Sequence, residues 1–533
     1  MLFINPVNKQ YGGTLSRYVP LAMPMTIGIL AGQMLRYGYS VAVHDEELQK
    51  IDAATIGTIV AGLKKPYVFG ITVLTTQAAR AYELSAMLKK WYPDCKIIVG
   101  GYHPTAVPEE VLSIDSIDFA VRGEGECTLI DLYKAIREGE QDFSSIRGIS
   151  YKCKGSIIHT PERPLIENLD ELPLFPYDLF LDQLKRTRSS KKYDWGFILT
   201  SRGCPYRCTY CSQRMMTGAT YRFKSPGRVL EELRYLIQEL GAKQVYFIDD
   251  NLTFNKERIV ALCDALAESK LGKQCAFSLQ TRADNFYPDV VPRLKAAGFT
   301  SVGFGMETGT NRLAAEIHKH MTIEQHVDAV RLAKEQCLDV NLFMVLGFPT
   351  ETPEDRRTAF EIVKRMKPAL VKFNNLLPYP GTPIYKSVMH SSRLNVKGSW
   401  ENYTSSVSDI GRLLFQQPPL PYVPESASEW ELIRDVIGYN VRMMLTPSML
   451  VSVVRRKHGT GMLKLPAWWF LMPKEILSLL RTAGVLLVNL VIVLLPLRIT
   501  EPMVNRLRPD FQKRVPKKEQ TPYVPYAWSG KQD

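Results

Sequence analysis

Ser201-Arg202-Gly203-Cys204-Pro205-Tyr206-Arg207-Cys208-Thr209-Tyr210-Cys211 carries three of the chain's nine cysteines at the spacing C-x3-C-x2-C. Thiolates this crowded repel one another, and a soft cation relieves the repulsion. Zinc would take its fourth ligand from a second cysteine pair, and the sequence holds none. Three thiolates suit a 4Fe–4S cluster that keeps one iron open to a ligand other than protein. Three thiols packed in a loop is the plain alternative at this spacing.

Downstream of the loop, strand patterns at 196–200, 244–248, 276–280, 301–305, 341–346 and 371–376 alternate with amphipathic helical patterns such as 229–240 and 257–267. Six such units predict a partial (βα)6 barrel over residues 193–395, with its working face at the carboxyl ends of the strands. Cys204, Asp249, Asp250, Gln280, Arg282, Glu307 and Gly347 close those strands.

Upstream, residues 1–150 alternate in the same way. Short apolar strands at 2–5, 40–44, 68–74, 96–100 and 118–122 are separated by helical patterns, which predicts an α/β, Rossmann-like, doubly wound parallel sheet. Its ligand crevice would lie at Asn5, Thr75, Gly100, Gly101 and Arg122. Residues 151–192, with Pro161, Pro164, Pro173 and Pro176, read as a linker with short ordered pieces.

Residues 396–533 read as a mainly helical C-terminal region. Ile476–Leu497 is a 22-residue stretch with a single charge, Arg481, and its apolar core from Ala483 to Leu497 is 15 residues long. That is short of the about 20 apolar residues a bilayer span needs. Trp468 and Trp469 before it, and Arg498, Arg506, Arg508, Lys513, Arg514, Lys517 and Lys518 after it, suit peripheral contact with an anionic membrane. A helix buried against the barrel is the alternative.

The net charge of the 533-residue chain is +13. Between Arg455 and Lys518 stand 13 lysines and arginines against three acids, a net of +10, so the excess is C-terminal and points to a membrane surface rather than nucleic acid. Cys95, Cys127, Cys153, Cys263, Cys275 and Cys337 are scattered singly, which argues against a disulfide framework and for a reducing, cytoplasmic setting. The first residues, MLFINPVNKQYGG, read as a buried strand and a loop, without the basic and long apolar regions of a signal peptide.

The cysteine loop followed by a broken barrel resembles the radical S-adenosylmethionine superfamily. Val245-Tyr-Phe-Ile-Asp-Asp-Asn251, Phe277-Ser-Leu-Gln-Thr-Arg-Ala283, Gly303-Phe-Gly-Met-Glu-Thr-Gly309, Val345-Leu-Gly-Phe-Pro349 and Pro378-Tyr-Pro-Gly-Thr-Pro383 stand in that superfamily's order over residues 195–390. The resemblance implies that Cys204, Cys208 and Cys211 hold three irons of the cluster, and that the fourth chelates S-adenosylmethionine. Asp249 or Asp250, Gln280, Arg282 and Glu307 would hold its methionyl and ribose groups, and Tyr210, Gly347 and Pro349 its adenine. Helix capping and barrel ion pairs are the other reading of Asp249, Asp250 and Glu307.

The upstream sheet resembles the cobalamin-binding domain that often precedes such barrels. Thr72-Val73-Leu74 and Gly100-Gly101 carry the likeness; in that fold such backbones flank the cofactor's nucleotide tail, and only glycine lets a chain approach so closely. Thr72, Leu74, Thr75, Gly100, Gly101, His103 and Thr105 are therefore the expected cobalamin contacts. One departure is plain: the D-x-H-x-x-G loop that supplies histidine to cobalt is replaced by Asn5-Pro-Val-Asn-Lys-Gln-Tyr-Gly-Gly13. His44 reads as a strand end and His103 as a hydrogen-bonding residue, so neither is assigned to cobalt.

The implied activity is methylation of an unactivated carbon, with a 5′-deoxyadenosyl radical activating a small-molecule or lipid substrate and cobalamin carrying the methyl group. A reductant such as flavodoxin or ferredoxin would supply electrons. Hopanoids, which some relatives methylate, illustrate an apolar substrate. The alternatives are a cyclase-like radical enzyme, such as the one acting on a magnesium-porphyrin ester, and a non-catalytic iron–sulfur protein. A methylthio-transferring RNA enzyme usually has a second three-cysteine set, and Cys95, Cys127 and Cys153 are too widely spaced to form one.

Overall fold

The computed structural model describes residues 1–8, 21–187, 193–396, 398, 400–403, 412–447, 449 and 473–508, without the side chains of 473–480 and 482. Residues 9–13 of the first loop, Trp468, Trp469, Lys513, Arg514, Lys517 and Lys518 lie outside the described residues.

The N-terminal half is built on a seven-stranded sheet. Its strands are β1 (Leu2–Asn5), β2 (Ala42–Asp45), β3 (Val68–Thr72), β4 (Lys96–Gly100), β5 (Phe119–Val121), β6 (Ile149–Cys153) and β7 (Ser156–His159), in the order β2-β1-β3-β4-β5-β6-β7. The first five are parallel, and β6 and β7 add an antiparallel hairpin. The order reverses between β1 and β3, and a ligand crevice forms at such a switch point. The sheet faces are built from fully buried Leu2, Ile4, Phe69, Ile97 and Val99.

The hairpin corrects the expectation of a domain ending at 150 and a linker over 151–192. Tyr151 pairs with Phe119 in the same sheet, so the sheet runs through His159. Pro173 and Pro176, farther on, belong to a strap on the Met25–Arg36 helix rather than a free tether. A Cβ at Gly28 would sit 1.9 Å from the Phe175 ring, so the strap's aromatic fills the notch that glycine leaves. The following helix, Tyr177–Thr187, buries Gln183, which accepts from Asp45 N at 2.8 Å and donates to Asp45 O at 3.0 Å. That side chain completes the open edge of β2. The helix Ala53–Val60, capped by the Asp52 carboxylate on Thr55 N, had no counterpart in the sequence reading.

The second half is a six-stranded parallel sheet: β8 (Phe197–Ile198), β9 (Gln244–Phe247), β10 (Ala276–Thr281), β11 (Phe299–Glu307), β12 (Asp339–Leu346) and β13 (Leu370–Asn375), paired in chain order. Phe247, Phe277 and Phe299 meet at 5.2–5.7 Å and fix the packing of its first strands.

Being open, this partial barrel must satisfy its last edge. Asn440, on the helix Glu429–Met444, accepts from Phe373 N at 3.0 Å and donates to Phe373 O at 2.8 Å, standing in for one residue of a neighbouring strand. Asn440→Ala is expected to destabilise the chain by about 2 kcal/mol, because two buried backbone groups lose their partners; the urea unfolding midpoint measures it.

Two further helices, Pro473–Leu494 and Leu497–Leu507, lie against Glu429–Met444. Asn489, the polar residue within the apolar stretch, is buried: it accepts from Leu414 N at 2.9 Å and donates to Arg412 O at 2.9 Å. Among the described residues no helix is long and apolar enough to cross a membrane.

Candidate active site

The cysteine loop leaves β8 and is bracketed by a short antiparallel ladder, Ser201–Arg202 against Arg222–Phe223. Gly203 begins the turn at φ +91°, and a Cβ there would lie 2.0 Å from Thr220 O, so only glycine fits. Backbone bonds pin the loop to the barrel: Thr209 N donates to Ile317 O and accepts, through its carbonyl, from Ile384 N, both at 3.0 Å. Burial raises the Cys204 thiol above its ordinary value, and the charges of Asp250 and Cys208 add to the rise. The loop thus resists thiolates unless a cation joins them, which is the donor chemistry of an iron–sulfur cluster. Among the described residues no three Cys, His, Asp or Glu side chains stand close enough to ligate one ion; a cluster's thiolates bind separate irons.

Arg282, at the end of β10, faces this loop. Its guanidinium lies 3.5 Å from the Tyr206 ring centroid and 3.8 Å from Cys208 Sγ. Asp284 grips it at 3.0 and 2.9 Å, and Lys319 O accepts from it at 2.7 Å. Glu307 ends β11 at φ +69°, just past a register shift, and its Oε1 lies 3.4 Å from Lys319 Nζ. The same ammonium is 3.3 Å from the Tyr210 hydroxyl, which burial first and Glu307 second hold well above the usual phenol range. Gln280 is exposed at the same end of the barrel, its carbonyl accepting from Leu252 N.

The two adjacent aspartates part company. Asp249 is buried and accepts from Thr200 N at 3.1 Å, Thr200 Oγ1 at 2.8 Å and the Ser201 hydroxyl, so it braces the strand that delivers the cysteines. Asp250 lines an internal hollow; its surroundings and then Asp249 push its carboxyl up to about 7, against the pull of a Gln213 hydrogen bond.

The Gly347-Phe348-Pro349 loop follows β12 with Gly347 at φ +97°. Gly347 N donates to Glu351 Oε2 at 2.5 Å. Phe348 is buried beside the Tyr210 ring at 6.0 Å, and Pro349 is half-buried. Behind the loop the fully buried Arg356 donates to Glu431 and Asp435, each at 2.6 Å, and its Nη1 lies 4.0 Å from Glu351. One guanidinium shared among three carboxylates leaves them short of positive charge. Burial pushes Glu351 up to about 8 and raises Glu431 and Asp435 as well.

Arg356→Met is expected to destabilise by roughly 3–5 kcal/mol, since it strands buried carboxylates. Glu351→Gln should act in the opposite sense. Folded Glu351 keeps its proton between pH 4.5 and about 8 while the unfolded chain has lost it, so this group's contribution falls as pH rises through that window. The variant should therefore gain about 2 kcal/mol on the wild type between pH 6 and 8, read from paired urea titrations.

Between the sheet and the barrel lies a cavity of about 260 Å³. The sheet supplies Phe3, Gly70, Thr72, Gly100 and Gly101, the Met25–Arg36 helix supplies Leu30, and the barrel supplies Ser201, Arg202, Gln213 and Asp250. Gly101 has φ +111°, and a Cβ there would meet Val73 O at 2.9 Å; one at Gly100 would meet only Val121, at 3.7 Å. Bare backbone is thus presented to the cavity at the carboxyl end of β4, beside the sheet's switch point, which suits close approach of a bulky ligand. Leu74, Thr75, His103 and Thr105 are not in its lining. His103 is buried, with Tyr82 Oη at 2.9 Å, Thr75 Oγ1 at 3.3 Å and Trp400 edge-on. Thr105 donates to Gly101 O at 2.8 Å and accepts from Gly123 N at 3.0 Å, so it staples the glycine turn from behind. His44 contacts Gln49 O at the end of β2.

Several residues that join the two halves escaped the sequence reading. Arg202, two positions before Cys204, donates to Glu124 at 3.1 Å and Glu126 at 2.6 Å, and Arg222 joins Glu124 at 2.9 Å. Tyr102 donates to Gln213 across the same gap. Gly-Glu-Gly-Glu126 directly after a parallel strand was the available signal, because that end of the sheet faces the ligand. Lys319 gave none: its role comes from a turn in which His318 and His320 both take positive φ.

Two family profiles match the chain, the B12 binding domain over residues 18–132 and the radical SAM superfamily over residues 198–363. An uncharacterized methyltransferase of Pyrococcus horikoshii is 30% identical over 82% of this chain and 91% of its own length. An anaerobic magnesium-protoporphyrin IX monomethyl ester cyclase of Rubrivivax gelatinosus is 25% identical over 73% and 70%. The fold matches that of TsrM, a radical S-adenosylmethionine methyltransferase from Kitasatospora setae solved with cobalamin and a 4Fe–4S cluster, with a TM-score of 0.64 and 18% identity over 84% of this chain and 89% of that one. A sheet that cradles one cofactor and a barrel that holds another, matched in order and along most of a relative, mean that the chain belongs to the cobalamin-dependent radical SAM enzymes.

Proposed function

We propose that the enzyme methylates an unactivated carbon of a small apolar substrate, with a lipid as the favoured class. One observation carries this reading: the glycine-walled end of the first sheet and the strand leading to the cysteine loop open onto the same cavity. A substrate entering there meets both cofactors. The cluster would supply the electron that cleaves S-adenosylmethionine, and cobalamin would carry the methyl group.

The chain's own residues position these reactants. Cys204, Cys208 and Cys211 hold the cluster, with Arg282 beside Cys208. Glu307, Gln280 and Asp250 face the methionyl and ribose groups of S-adenosylmethionine, and Tyr210, Gly347 and Pro349 the adenine. Asp249 acts from behind as a brace. Thr72, Gly100 and Gly101 line the cobalamin cradle. A small reduced electron carrier, flavodoxin- or ferredoxin-like, supplies electrons, and scattered single thiols favour a reducing cytoplasmic setting. Peripheral membrane contact through the C-terminal region gives access to a lipid.

The test supplies the anaerobically reconstituted enzyme with methyl-labelled S-adenosylmethionine and a lipid extract. Label in a lipid product alongside 5′-deoxyadenosine is the expected result. 5′-Deoxyadenosine without labelled product would overturn methylation in favour of a cyclase-like reaction, the reading that the Rubrivivax relative supports.

A further inference from the structure

We infer that the outward face of the C-terminal helix pair docks on a bilayer surface bearing anionic headgroups. This names the surface and partner of the membrane contact proposed above and rests on that reading only for its purpose. Vesicle binding needs no turnover, so either proposal can fail alone.

The inward face is fixed by polar contacts that set the rotation of both helices. Asn489 is tied to Leu414 and Arg412, Arg434 donates to Val493 O at 2.6 Å and Leu495 O at 2.7 Å, and Trp430 Nε1 donates to Thr500 Oγ1 at 3.1 Å. With that face held, the opposite one turns outward. Leu487 is 62% exposed, Leu494 70% and Leu507 64%, and Val491, Ile499 and Met503 stand between them. Residues 487, 491 and 494 form a helical stripe on the first helix, and 499, 503 and 507 form another on the second, either side of the short break at Leu495-Pro496. Seven of the sixteen large hydrophobic side chains exposed among the described residues belong to these two helices, and an eighth, Leu495, stands in the break between them. A stripe so concentrated marks a contact surface.

Charge selects the partner. Arg481, Arg498 and Arg506 are exposed along the same helices, where their stems can lie on the apolar surface while the guanidinium groups reach phosphate. The sequence from 455 to 518 carries a net +10. Apolar side chains bordered by arginine match the acyl–headgroup boundary of an anionic leaflet, and since neither helix can cross it, the pair lies on the surface.

Flotation of the reconstituted full-length chain with phosphatidylcholine vesicles, with and without phosphatidylglycerol, tests this. Wild type should float with the anionic vesicles and lose binding as salt rises. Leu487→Glu with Leu494→Glu, and separately Arg498→Glu with Arg506→Glu, should each weaken flotation by about tenfold or more while leaving the visible spectrum of the cluster unchanged. The proposal is overturned if wild type ignores both vesicle types, because another segment of the chain then covers the stripe. Equal flotation of wild type and both variants also overturns it. So does a wild-type dimer, seen by light scattering, that the leucine substitutions dissociate, since the face then belongs to a second copy.

Discussion

Alanine in place of Cys208 is expected to abolish 5′-deoxyadenosine formation, a loss of at least about a thousandfold, together with most of the bound iron. The thiol is the middle one of the three and stands in contact with Arg282, whose guanidinium is gripped by Asp284 and Lys319 O. Removing it takes away a ligand that no neighbour replaces, because Arg282 offers only donors at that position. The loop itself should survive the change, since it is held by Thr209 and by the Gly203 turn rather than by the sulfur. Cys337→Ala is the matched control: that thiol is exposed on the turn before β12, and iron content and cleavage should be unchanged. Iron assay, visible spectroscopy and chromatography of 5′-deoxyadenosine read the three quantities, and wild-type cleavage in the Cys208 variant would falsify the assignment of the cluster to this loop.

Why the loop could be read from sequence, while much around it could not, follows from how each feature is encoded. The barrel strands carry runs such as Val245–Phe247 and Val340–Leu346 whose burial needs no knowledge of partners, and the residues closing them fall at the strand ends by construction. Three cysteines in eight positions are a local signal for a non-local object. Glycine was legible too: Gly100-Gly101 after a strand implies close approach, and the cavity lies there. The features that escaped depend on contacts distant in sequence. Arg202 meets Glu124 and Glu126 across 78 and 76 positions, and Asn440 completes β13 across 67. Pro173 and Pro176 suggested a tether because the partner of their segment, the helix face at Gly28 and Gly32, is more than a hundred residues away. His103 was assigned by its place in a motif, and only packing shows it turned toward Tyr82 and Trp400. Asp249 and Asp250 are adjacent and alike in sequence, but they lie past the end of β9 where the chain turns, so that one braces Thr200 and Ser201 and the other lines the hollow.

Leucine at Gly100 is expected to separate the two cofactors' contributions. Gly100 ends β4 with its backbone on the cavity, and an added Cβ meets nothing closer than Val121 at 3.7 Å, so the substitution fits locally. The rest of the side chain then has the cavity to occupy and fills the space a cobalamin tail would need. Cobalamin retention should fall by about tenfold or more, since the tail would have to displace a packed side chain rather than fill a void. Iron content and 5′-deoxyadenosine formation should stay near wild type, because the cluster loop is built from the barrel and touches Gly100 at no described bond. Methyl transfer should vanish with the cobalamin. Gly101→Ala is the poorer probe, although it is the smaller change. Its φ of +111° and the 2.9 Å approach to Val73 O strain the backbone by roughly 1–3 kcal/mol and threaten the bond from His103 N to Val73 O, so ligand and fold would be lost together. Wild-type cobalamin binding by the Gly100→Leu variant would mean that the cavity is not the tail's site. Loss of cobalamin with intact 5′-deoxyadenosine formation, set beside the opposite pattern in Cys208→Ala, would assign each cofactor to its own half of the chain and leave the shared cavity as the place where they act on one substrate.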